Sequence, residues 1–377
     1  MKHVFIIGSR GLPAKYGGFE TFVENLVKHQ KNDKIKYHVA CQSENSGNSR
    51  FDYLGADCFP IDVPKIGAAR VIAYDVLAIK AALKICKREK IEAPIFYILG
   101  NTIGALIGHY GRKIHRAGGI LLVNPDGLEW KRSKWSKPVQ TYLKFSERKM
   151  VQHANLIVAD NKGIEDYLTA EYSGNMKSTV IAYGTELERS NLTTSETLEK
   201  FPVKSYYLIV GRFVPENNYE LLISEFMKSK LDKDLVIVTN YENNPYFDEL
   251  RMKTGFDKDH RIKFVGTVYD QNELRFIREN AFAYLHGHEV GGTNPGLLEA
   301  MWSSQLNIVL GVNFNREVAQ DSALYFDKEN LQEILSNAGN LTNDERSNLT
   351  KKAQEIILEK YTWEKICGKY EELFVES

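Results

Sequence analysis

The chain has 377 residues, 43% hydrophobic and 26% charged, an ordinary globular composition long enough for two domains that each bury a core. Formal net charge is zero, yet residues 1–190 carry 28 Lys and Arg against 19 Asp and Glu, and the remainder 21 against 30. The first half therefore meets an anionic partner more readily than the second.

Cys41, Cys58, Cys86 and Cys367 lack paired spacing, which argues against a disulfide frame or a zinc site. The apolar start is too short for a signal peptide and no run approaches a membrane span. The expectation is a cytoplasmic protein with at most a peripheral hold on a membrane.

Short β-branched apolar runs recur in chain order: Val4–Ile7, Tyr37–Cys41, Ile95–Leu99, Ile120–Val123, Leu156–Ala159 and Thr179–Tyr183. The second half repeats them at Tyr206–Val210, Leu235–Thr239, Arg261–Val265, Ala281–Leu285, Leu306–Leu310 and Ala323–Phe326. Between them lie helix-like stretches such as Arg70–Lys90, with apolar residues at three- and four-residue steps. This alternation predicts doubly wound parallel sheets covered on both faces. The pattern restarts after the polar stretch Glu186–Lys200. Two Rossmann-like domains are expected, 1–190 and 191–350, followed by a long helix over about 344–375. Its part from 351 to 377 would pack back on the first domain.

Four stretches carry chemistry. Strand-like Val4–Ile7 runs into Gly8-Ser9-Arg10-Gly11, and Gly17-Gly18 open the next helix. This is a nucleotide-fold opening without the dinucleotide or P-loop spacing. Asp126, in Asn124-Pro125-Asp126-Gly127, stands just past a strand's carboxyl end, where active-site side chains sit. The same residues also read as a turn in which Asp caps its own backbone. Arg212, in Val210-Gly211-Arg212, is placed to meet phosphate oxygens, or is a solvated Arg at a strand end. Finally, Gly291, Gly292 and Gly296 with Asn294-Pro295 join a strand to a helix carrying Glu299. Free N–H groups at such a helix start suit a diphosphate, and Glu299 could accept from two vicinal ribose hydroxyls. A plain strand-to-helix turn is the alternative.

Residues 112–149 hold ten Lys and Arg against three acids, with Trp130 and Trp135 interleaved. Lys131, Arg132 and Lys134 lie between the tryptophans, and the mixture suits an anionic membrane surface. No nucleic-acid motif accompanies it. Asp232-Lys233-Asp234 and Asp257-Lys258-Asp259 match an Asp-x-Asp metal triplet, but one precedes its strand and the other lies in a charged loop. His286 and His288 lack zinc-ligand spacing and are expected to line a cleft.

Together these stretches resemble the retaining glycosyltransferases of family 4, over nearly the whole chain. "GSRGLPAKYGGFETFVENLV", "NPDGLEWKR" and "GHEVGGTNPGLLEAM" resemble bacterial rhamnosyltransferases that move L-rhamnose from dTDP-rhamnose to a lipid-diphosphate-linked sugar. Those enzymes make streptococcal-type capsule and wall polysaccharides. The resemblance implies a GT-B fold with an interdomain cleft and retention without a covalent enzyme intermediate. It also implies metal independence and no other cofactor. Arg212 and the N–H groups of Gly292, Thr293 and Asn294 would bind the leaving diphosphate, with Gly11, Gly17 and Gly18 close to the donor. Glu299 would hold the ribose. Asp126 would orient or deprotonate the acceptor hydroxyl, and Trp130, Lys131, Arg132, Lys134 and Trp135 would face the lipid acceptor. The expected location is the inner face of the cell membrane, with no nucleic-acid partner. The chain departs from the family twice. Gly291 stands where the first Glu of the Glu-x7-Glu segment falls, and Asn217 where the diphosphate-binding Lys falls. A sugar epimerase of the same fold, a pyridine-nucleotide oxidoreductase and a non-catalytic nucleotide-sugar binder remain as alternatives.

Overall fold

The computed structural model describes every residue except 16, 44–48 and 173–175, so Tyr16 of the N-terminal glycine stretch lies outside the described residues. The chain forms two compact units. The first comprises Met1–Lys131, Trp135–Gly184 and Trp363–Ser377, and the second Arg132–Lys134 and Thr185–Thr362. The division thus falls at Gly184 rather than near residue 190. The returning segment begins at Trp363, so residues 351–362 group with the second unit.

The first unit is built on eight strands: β1 (Lys2–Ile7), β2 (Ile35–Ser43), β3 (Phe51–Tyr53), β4 (Ala56–Asp62), β5 (Ile95–Leu99), β6 (Ile120–Asn124), β7 (Leu156–Ala159) and β8 (Ser178–Val180). Their order is β3-β4-β2-β1-β5-β6-β7-β8. All neighbours are parallel except β3 with β4. The β5 run Ile95–Leu99 is buried at every position, as expected of a strand covered on both faces. The sequence pattern misses β3 and β4. Edge strand β3 is short and half exposed, and β4 carries Asp57 and Pro60 among its apolar residues.

Asp57 is tolerated because His38 and Arg50 both bond it. The Arg50 and His38 contacts hold its carboxyl below the usual carboxylate range against the opposing effect of burial.

The helix Trp363–Glu376 closes this core. Trp363, Tyr370 and Phe374 pack with Phe22, Tyr97 and Tyr183, and each contributes about 2–3 kcal/mol of apolar burial. Glu371 Oε1 accepts from the backbone N–H groups of Lys31 and Asn32 at 2.7 and 3.0 Å. A Cβ at Gly184 would lie 2.6 Å from Trp363 Cδ2, so only glycine fits there.

The expected continuous helix over 344–375 is broken. A helix over Asn343–Ile356 loosens into a π-turn at Ile357–Tyr361, and Thr362 is extended. Thr362 pairs with Thr185, whose N–H donates to Tyr361 O at 2.8 Å. A backbone partner outside the helix therefore outcompetes its continuation.

The second unit has six parallel strands: β9 (Tyr206–Val210), β10 (Asp234–Val238), β11 (Ile262–Gly266), β12 (Ala283–His286), β13 (Asn307–Leu310) and β14 (Leu324–Phe326), in the order β11-β10-β9-β12-β13-β14. Its sheet interior is aliphatic, and Phe213, Phe247, Phe256 and Phe264 form an aromatic cluster. Neighbours β9 and β12 come from opposite halves of the winding. Their carboxyl ends mark the switch point where open parallel sheets bind ligands.

Candidate functional site

At the carboxyl end of β9 the carbonyl of Gly211 is held by the Tyr219 hydroxyl at 3.0 Å and the Thr239 hydroxyl at 2.7 Å. A Cβ on Gly211 would meet the His288 ring at 3.1 Å, so the turn lies tight against the β12 loop. Arg212 follows with an exposed side chain. Asn217 is turned inward: it is 6% exposed and its Nδ2 donates to Arg212 O at 2.8 Å. Its amide braces the Arg212 backbone. Asn218, at φ 57°, donates from Nδ2 to Gly287 O at 2.8 Å and so ties this turn to the β12 loop.

His286 is fully buried and stacks on His288 with ring centroids 4.3 Å apart. It is a core residue and lines no surface. Burial drives the His286 pKa well down. Burial, then the charges of Arg212 and Arg132, push His288 down to about 3. Both rings are neutral at ordinary pH, so they add no charge to the site.

The loop after β12 reaches the helix Pro295–Ser303 through Asn294, whose side chain accepts from Gly296 N–H at 2.9 Å. Pro295 sets the first turn and has no N–H, and the N–H groups of Gly296, Leu297 and Leu298 all donate to Asn294. The expected free N–H groups at this helix start are therefore taken, and what it offers an anion is the positive end of the helix dipole. Thr293 is buried beneath it. Gly291 adopts φ 141°, with open space where a Cβ would stand. Glu289 lies nearby, held by Lys328 at 2.8 Å to each oxygen. Glu299 projects from the helix with its side chain 39% exposed and is paired to Arg278 at 2.5 Å.

In the first unit, three of the glycines have internal reasons. A Cβ on Gly8 would lie 2.1 Å from Leu99 O, one on Gly11 2.5 Å from Cys41 Cα, and one on Gly17 1.9 Å from Glu20 Oε2. Gly8, Gly11 and Gly17 also have positive φ. Protein atoms approach Gly11 and Gly17, whereas Gly18 faces open space. Glu20 in turn accepts from Arg10 N–H at 2.8 Å and fixes the loop.

Asp126 has φ 47°, and its N–H donates to Asn124 Oδ1 at 3.1 Å. Asn124 thus caps this turn from its amino side. A non-glycine residue held in this sparsely populated region is a mark of sites where geometry is imposed. Asn101 donates to Pro125 O and steadies the same turn.

Within the basic stretch, Trp130 is turned inward. Its Nε1 donates to the Tyr167 hydroxyl at 3.1 Å, and Lys144 Nζ lies 4.5, 4.8 and 5.1 Å from the ring centroids of Trp130, Tyr167 and Tyr172. Lys144 also pairs with Glu171 at 2.9 Å, so its charge is spent internally. Trp135 donates to Glu129 at 2.9 Å. Lys131 and Lys134 are exposed and Arg132 half-buried. Exposed Leu106 and Phe145, on the two long helices of this stretch, escaped the sequence reading because each falls among residues whose helical face periodicity alone leaves ambiguous.

The Asp-x-Asp triplets are committed elsewhere: Asp234 accepts from Lys204 N–H at 3.0 Å and Asp259 pairs with Arg261 at 2.6 Å. Among the described residues no group of three His, Cys, Asp or Glu could hold a metal ion. Among them, too, no helix is long and apolar enough to cross a membrane.

A family model described as a domain of unknown function (DUF1972) matches residues 1–186. No curated protein matches the chain. Solved structures resemble it along its full length. Sucrose-phosphate synthase from Thermosynechococcus elongatus superposes with a TM-score of 0.79 at 16% identity, covering 100% of both chains. HepE of Anabaena, in complex with UDP, gives 0.71 at 14% identity, again over 100% of each. The trehalose-6-phosphate synthase OtsA gives 0.72 at 9% identity, over 100% of this chain and 99% of its own. At these identities the likeness carries the fold: the chain has the GT-B fold of two Rossmann-like units.

Proposed function

We propose that the protein is a retaining glycosyltransferase that moves L-rhamnose from dTDP-β-L-rhamnose to a lipid-diphosphate-linked sugar in capsule or cell-wall polysaccharide synthesis. One observation carries the reading. At the switch point of the second unit, an exposed Arg212 on a braced turn follows the carboxyl end of β9, and the helix starting at Asn294–Gly296 and carrying Glu299 follows that of its neighbour β12. That set offers a cation, the positive end of a helix and a hydroxyl acceptor, which are the needs of a nucleoside diphosphate sugar. The solved HepE complex with UDP, on the same fold, supports a nucleotide donor. Support for rhamnose and the lipid acceptor comes from the three sequence strings alone.

In this reading Arg212 and the N–H groups of Gly292, Thr293 and Asn294 stabilise charge that develops on the diphosphate as the sugar C1–O bond breaks. A diphosphate oxygen takes the proton of the acceptor hydroxyl, which attacks C1 on the face the diphosphate leaves, so configuration is retained. Asp126 orients that hydroxyl on the first unit. The charge is met by Arg212 and backbone donors, and activity survives excess chelator. The lipid acceptor implies a membrane surface, met on the first unit by exposed Arg112, Lys113, Arg116, Lys131 and Arg148 with Leu106 and Phe145.

The test is to incubate the purified protein with dTDP-rhamnose, then with a lipid-diphosphate sugar added. Product that requires the acceptor supports transfer. Isomerised donor without acceptor means an epimerase, and binding without any turnover means a sensor.

A further inference from the structure

The site's carboxylate is already half engaged. Arg278, on the last turn of the helix Gln271–Glu279, is 3% exposed and places Nη2 2.5 Å from Glu299 Oε2. Among the described residues, no other hydrogen bond or ion pair is formed to the Glu299 side chain. The Arg278 Nε is buried and has no hydrogen-bond partner. A buried guanidinium with an unmet donor is a costly way to join two helices, since an apolar pair of the same volume is often as stable or more so. The pair therefore calls for a reason beyond stability, and the orientation of Glu299 supplies it. With Oε2 held inward by a cation, Glu299 turns one oxygen, Oε1, outward.

We propose that Arg278 is a specificity residue: by occupying Glu299 Oε2 it leaves one acceptor oxygen, matched to the single 3′-hydroxyl of a 2′-deoxyribonucleoside diphosphate and not to the vicinal diol of a ribonucleoside. This rests on the nucleotide-sugar reading above and narrows it. A carboxylate with both oxygens outward would take two vicinal hydroxyls, one on each. Here a ribose 2′-hydroxyl has to share Oε1 with the 3′-hydroxyl or compete with Arg278 for Oε2, and so regains less of the hydration it surrenders. Selectivity thus arises from a partner that is withheld as much as from one that is offered.

Calorimetric titration with dUDP and UDP isolates the sugar, because the base and diphosphate are identical. The wild-type protein binds dUDP at least as tightly as UDP. Arg278→Met keeps the side-chain bulk and frees Oε2, so UDP gains about tenfold relative to dUDP, the scale of one hydrogen bond to a charged acceptor. Arg278→Lys keeps the cation and retains the wild-type ratio. A ratio is read within one protein sample, so a merely structural loss, which weakens both nucleotides alike, leaves it unmoved. Tenfold preference of the wild type for UDP overturns the proposal without any variant, and so does an unchanged ratio in a folded Arg278→Met protein. Failure of dUDP, UDP and dTDP alike to bind sinks the nucleotide-sugar reading itself.

Discussion

Asp75 offers a quantitative test of the first unit's architecture. It is 2% exposed on the helix Arg70–Glu89. The Thr102 hydroxyl donates to Oδ2 at 2.5 Å, while Oδ1 has no partner. Burial pushes its pKa from 3.8 up to about 7, and the Thr102 bond offsets only part of this. Between those values the unfolded chain has lost the Asp75 proton and the folded chain keeps it. Folding is then penalised by about 1.4 kcal/mol per pH unit. The Asp75 contribution is therefore most favourable below about pH 4 and declines as pH rises to about 7. Over that span the loss approaches ~4 kcal/mol and then levels off. Asp75→Asn removes the titration, although its amide N–H faces the unpartnered side and costs about 1–3 kcal/mol at every pH. Urea unfolding of both proteins at pH 4 and pH 8 separates the terms. The variant is expected to be less stable than wild type at pH 4 and to improve relative to it by about 4 kcal/mol at pH 8. A stability difference that does not move with pH refutes the reasoning, because Asp75 would then ionise in the fold as it does in water.

Arg212→Ala should lower turnover on the order of a hundredfold, the scale of losing a charge stabiliser in the transition state. An exposed side chain leaves the melting temperature nearly unchanged, and turnover within a fewfold of wild type would remove Arg212 from the diphosphate. Asp126→Asn preserves the backbone, because Asn tolerates positive φ; transfer should fall about 10²–10⁴-fold with dTDP affinity intact. Near-normal transfer makes Asp126 a turn residue. Vesicle binding should rise with anionic lipid and fall with salt, whereas equal binding to neutral and anionic vesicles would remove the electrostatic hold.

Much of the fold was legible because its strands are short continuous apolar runs set between amphipathic helices, a pattern that parallel sheets impose locally. The strand β4 was hidden because Asp57 and Pro60 look wrong for a strand until His38, Arg50 and the pairing with Cys41 are in place. The break at Thr362 was equally invisible, since helical spacing runs on through it and the competing partner, Thr185, is far away in sequence. At the site, positions just past strand ends announced Arg212 and Asp126. What the side chains do there was not local: Asn217 turns back on the chain, Arg278 claims Glu299 from a neighbouring helix, and Lys144 lies over the half-buried Trp130 ring. Glycines in the first loop also have reasons that spacing does not display. Gly11 and Gly17 are required by Cys41 and Glu20, contacts that no sequence pattern displays.

The most direct measurement is the anomeric configuration of the sugar transferred from dTDP-β-L-rhamnose, read by NMR on product made with and without a lipid-diphosphate acceptor. A retaining rhamnosyltransferase gives a β-L-rhamnosyl product that forms only when acceptor is present. An α-linked product would contradict retention, and free rhamnose or altered donor formed regardless of acceptor would contradict glycosyl transfer.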